Sequence, residues 1–168
     1  MKNLFFSLIA LLLTATSFAN SYPEIPPYAG DNKNLRPVVL DEYAALKPQI
    51  KSDSDKAKLQ DAKQRFRNAL NYYDKIDENI KKYNGNKSSS IKDYEWAFKR
   101  LGEIYLENSK NYIYDKEYID LLSQNLKRQY DYWVAVYKEQ GSEIFLKKIK
   151  AVNSFREAIK TDEYIVNH

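Results

Sequence analysis

From Leu59 onward the apolar positions fall three and four residues apart. Leu59, Ala62, Phe66, Ala69, Tyr73, Ile76, Ile80 and Tyr83 keep this spacing without interruption, which puts them on one side of an α-helix. The pattern predicts a first helix over Ser54–Tyr83. On its polar side Asp61/Arg65, Asp77/Lys81 and Glu78/Lys82 stand four apart with the acid first, the favourable order, each pair adding a few tenths of a kcal/mol. Asn84-Gly85-Asn86 supplies the stop, because Asn and Gly tolerate the left-handed conformation at a helix end.

The same spacing returns in Ile91, Tyr94, Phe98, Leu101 and Tyr105, with Ser88, Ser89 and Ser90 ahead of it as caps. This predicts a second helix that breaks at Asn108–Asn111. Gly102 lies inside it, and since a mid-helix glycine costs about 1 kcal/mol against alanine, it marks an expected close helix crossing. Asp115 caps a third helix running to Gln140, with Ile119, Leu122, Leu126, Trp133 and Val136 inward and Tyr130 and Tyr137 on its flank. Gly141-Ser142 then introduces a fourth helix with the stripe Phe145, Ile149, Val152, Phe155 and Ile159, unless the third helix continues through Gly141 as one bent rod. Thr161–His168 reads as a tail. The expected fold is all-α: a three- or four-helix antiparallel bundle, packed near-aligned at about 20°, its heptad-like seams also compatible with a helical dimer.

The chain before Ser52 follows a different rule. Met1–Ala19 has Lys2, an apolar run over Leu4–Leu13 and a small-residue site at Thr16-Ser17-Phe18-Ala19, the pattern of a cleaved export signal. It is too short for a spanning helix. Asn20–Lys51 holds all five prolines and reads as an extended, Pro-rich arm, with Val38-Val39-Leu40 packing outside the bundle and Asp41–Leu46 making a helical turn or two. The organisation expected is signal 1–19, arm 20–51 and helical domain 52–168, with no transmembrane segment in the mature chain and a bacterial periplasmic or extracellular location.

Composition then removes chemistry. There is no cysteine, and the one histidine is the last residue, His168, so no thiol nucleophile, imidazole triad or Cys/His metal site can be assembled. Four separated glycines make no phosphate loop. A pair of carboxylates suffices for a glycan hydrolase, and Glu95, Glu103, Glu107 and Glu143 are the ones to weigh. Acids on amphipathic helices are ordinarily solvated, so the expectation is a protein that is not an enzyme, with no catalytic, cofactor or metal residues. The formal net charge of +4 is interleaved in sign, unlike a nucleic-acid stripe. Only Lys147, Lys148, Lys150, Arg156 and Lys160 cluster, enough for an anionic envelope surface or glycan.

Tyrosine is the exceptional residue, with 15 in the chain. It has an apolar body and a polar tip, and it serves half-buried seams and contact faces alike. Tyr72 and Tyr132 point away from their seams and are the contact residues expected first, followed by Tyr112 and Tyr114, with Lys147 and Lys150 from the basic cluster. The expected function is an exported protein-interaction module of adhesin, secretion-accessory or inhibitor type, with a protein partner. The alternatives are a periplasmic holdase for envelope proteins and, behind it, a carboxylate-based peptidoglycan hydrolase.

Overall fold

The computed structural model describes residues 23–32, 52–112 and 115–167. The signal and the Val38–Leu46 part of the arm lie outside these residues. Four helices account for most of what is described: α1 (Asp53–Lys82), α2 (Ile91–Tyr112), α3 (Lys116–Gln140) and α4 (Glu143–Asn167). Contacts fix their directions. Lys63 meets Glu117 while Arg128 further on meets Asp77, so α1 and α3 run the same way. Lys148 meets Glu95 and Tyr105 meets Asp162, so α2 and α4 also run together, opposite to the first pair.

Local chemistry sets the boundaries. Ser52 caps α1 by accepting from the Asp55 backbone N–H at 3.1 Å. At its other end the Gly85 N–H reaches Ile80 O at 2.9 Å and Asn84, not Gly85, takes the left-handed turn at φ 50°. Helix α1 therefore ends at Lys82, and Tyr83, expected on the seam, stands exposed. Asp115 caps α3 through the Tyr118 N–H at 2.8 Å, and Gly141 closes it at φ 65°. The third and fourth helices are thus separate.

Three expectations fail for physical reasons. The serines before α2 do not cap it. Lys87–Ser90 forms a 3₁₀ turn whose N–H groups at Lys87 and Ser88 donate to the Glu139 carboxylate of α3 instead, an acceptor that the linear pattern cannot show. Gly102 marks no close crossing, since a Cβ there would meet nothing within 4 Å. Helix backbone also continues through Asn108–Asn111 and through most of the predicted tail.

Helix α3 is the centre, touching α1, α2 and α4. Phe66, Leu101, Leu122, Leu126 and Ile149 are fully enclosed around it, each contributing about 1.5–3 kcal/mol relative to exposure. Its buried arc is wide enough to take in two amides. Asn125 donates to Phe66 O and Leu121 O, and Gln129 to the Tyr73 hydroxyl and Tyr94 O. The bonds to Phe66, Tyr73 and Tyr94 cross to α1 and α2 and tie the register of the three helices.

Across the outside of α3 and α4 lies Pro23–Asn32, with a 3₁₀ turn at Ala29–Asp31. Tyr137 and Tyr130 donate to the Pro23 and Pro26 carbonyls at 3.1 and 2.7 Å. Asn153 takes both sides of the backbone, donating to Pro27 O and accepting from Ala29 N, each at 2.9 Å. Tyr28 is buried against the Tyr130 ring at 5.0 Å, and Lys160 holds Asn32 O. Gly30 is required here, because a Cβ would sit 2.2 Å from the Tyr28 ring.

Candidate functional site

The tyrosines divide once the helices are packed. Tyr132 does not stand at the surface. It is 3% exposed, its ring stacks on Tyr94 at 3.5 Å, and its hydroxyl donates to Lys87 O at 2.6 Å while accepting from Ser90. The reason is the central position of α3: a helix packed on three sides buries the residue beside Trp133 as well as Trp133 itself. Burial raises the phenol pKa of Tyr132 and Tyr73, and pushes Tyr94 up to about 12. Tyr130 and Tyr137 are spent on the arm. The side chains of Tyr112 and Tyr114 lie outside the described residues. Tyr72 remains, 39% exposed on α1.

Tyr72 edges a groove of about 600 Å³ between α1 and α2. The seam residues Ala69, Ala97, Leu101 and Ile104 form its floor, and two of them are alanines, which leaves depth between the helices. Trp96 faces Tyr72 from α2 and is 62% exposed. Its place off the Tyr94–Phe98 seam is the same sequence signal that singles out Tyr72. Arg65 and Arg100 stand at the lips, each paired within its own helix, to Asp61 and to Glu103. Among the described residues the one carboxylate in the lining is Asp93. Partial burial, and then the Asp93 carboxylate beside it, raise the Tyr72 pKa.

The other nominated residues scatter. Lys147 and Lys150 are exposed on α4, with no ion pair among the described residues. Lys148 is bound to Glu95 at 2.5 Å, Lys160 holds the arm, and Arg156 is buried with Glu163 at 2.7 Å. The five-residue basic cluster is therefore two free lysines and three structural cations. The glutamates do not converge either: Glu95 and Glu103 are engaged in ion pairs, and neither lines the α1–α2 groove. The acid that burial changes most is Asp162, pushed up to about 6 by desolvation although the Tyr105 hydroxyl donates to it.

Among the described residues no group of three or more His, Asp or Glu side chains is placed to hold a metal, and no helix is long and apolar enough to cross a membrane. Comparison with models of known families, with curated proteins and with solved structures gives no match.

Proposed function

We propose that the protein is an exported, non-enzymatic interaction module that takes an amphipathic helix of a partner protein into the α1–α2 groove. The observation that carries this reading is the pairing of Tyr72 and Trp96 as exposed aromatics on facing helices above an apolar floor. Exposed aromatic and arginine side chains around an apolar centre are the composition of interface hot spots. A helix laid between two helices meets them with an apolar stripe of its own. Arg65 and Arg100 at the lips favour acids flanking that stripe, since each carries only a surface pair that a partner carboxylate can share. Export, the adhesin, secretion-accessory or inhibitor role, and a periplasmic or extracellular site belong to the same reading and rest on the Met1–Ala19 pattern.

The test is photo-crosslinking from position 96 in the producing cell's envelope, with position 83 as an exposed aromatic control. One adduct formed from 96, absent from 83 and suppressed by Tyr72→Ala, supports the groove. Many unrelated envelope proteins captured equally from both positions would replace it with the holdase reading.

A further inference from the structure

A second cleft, of about 390 Å³, opens between α2 and α4. Phe98, Trp133, Ile144 and Ala151 make its apolar wall, and Lys99, Lys147 and Lys148 its rim. We propose that this cleft binds a single-chain amphiphilic anion, with the alkyl chain along the wall and the anionic head at Lys99 and Lys147. The proposal is independent of the α1–α2 groove.

Charge selects an anion. Among the described residues Glu95 is the only acid in the lining, and it is already taken by Lys148, whose ammonium also sits 5.1 Å over the Trp133 ring. Lys99 reaches Glu103 only at 3.9 Å, and Lys147 is exposed with no ion pair among the described residues. Two exposed cations thus stand without strong partners beside apolar side chains, free to meet an anionic head. The wall is unfinished. Ile144 is 55% exposed, a large apolar side chain left in water at the cleft mouth, and the Trp133 Nε1–H is enclosed with no acceptor among the described residues. Size selects one chain, because the volume lies at the low end of small-ligand sites. A membrane surface would call for a cluster of four to eight cations, more than this rim offers.

The chain has two tryptophans, so Trp96→Phe leaves Trp133 as the sole reporter. That protein is titrated, below aggregation of the amphiphile, with dodecyl phosphate, dodecyltrimethylammonium, inorganic phosphate and anionic phospholipid vesicles. The expected result is a saturable change in Trp133 emission with dodecyl phosphate alone, weakened about tenfold by Lys99→Glu/Lys147→Glu and lost in Ile144→Asp. All three substitutions fall on exposed side chains, and circular dichroism checks that the fold is kept. No response to dodecyl phosphate, an equal response to the cationic amphiphile or to inorganic phosphate, or binding only to vesicles would each overturn the proposal.

Discussion

The bundle has two aromatic-edged faces, and the chain treats them differently. On the α3–α4 face, Tyr130 and Tyr137 aim their hydroxyls at backbone carbonyls of Pro23–Asn32, and Tyr28 fills the space between. On the α1–α2 side, Tyr72 and Trp96 flank a groove that no described segment covers. The first face shows what an aromatic surface of this protein looks like when it has its occupant: ring contact at the centre and backbone bonds at the edges. The second has the apolar floor and the aromatic rims without that complement. Tyrosine count alone cannot tell the two apart, because the same side chain serves both.

The contrast can be broken most severely at Tyr132. If it is a core residue, Tyr132→Ala should cost about 3–5 kcal/mol in urea or thermal unfolding, as for other large aromatic truncations. A contact residue would cost almost nothing. Next comes the covered face itself. Tyr28→Ala should lower stability by about 2–3 kcal/mol and speed hydrogen exchange at the Ala29 amide, which donates to Asn153, while exchange in α1 changes only with global stability.

Asp162, at the far end of α4, sharpens the comparison through pH. Its folded pKa lies at about 6, above the ordinary carboxyl value of 3.8, so between these values the folded state holds more protons than the unfolded state. Stability should therefore fall as pH rises from about 4 to about 6 and level off above, by about 1–2 kcal/mol. Asp162→Asn should flatten that slope in equilibrium unfolding while keeping an acceptor for Tyr105. The smallest effect belongs to the open groove. Tyr72→Ala/Trp96→Ala should move stability by no more than about 0.5 kcal/mol, as surface changes do, while Tyr72→Ala alone should suppress the crosslink formed from position 96.

Much of the helical architecture was legible because it depends on local chemistry and one period. The cap at Asp115, the stop at Gly141 and the four seams all follow from residues within a turn of one another. What escaped were groups whose partners are distant in sequence. Glu139 caps the 3₁₀ turn before α2 from 51 residues away, and Asn153 grips an arm 126 residues before it. Gln129 did leave a trace, since it occupies the step missing from the Leu126–Trp133 seam. The misreading of Tyr132 came from assigning every helix one inward face, when the central helix has three neighbours. Within the candidate site, Tyr72 was legible as an off-seam aromatic. Trp96 follows the same rule, lying off the Tyr94–Phe98 seam.

The turn after α1 also sets a chemical clock. Asn84 and Gly85 form an Asn-Gly pair, whose intrinsic tendency is to cyclise: the glycine nitrogen attacks the asparagine side-chain carbonyl, ammonia leaves, and hydrolysis yields aspartate or its isomer. Here that nitrogen is occupied, since its N–H donates to Ile80 O at 2.9 Å. The attack must wait for the helix end to fray, an opening of low free energy but finite population. Ageing at this one bond, read as a one-dalton gain in mass, thus counts how often the last turn of α1 comes undone.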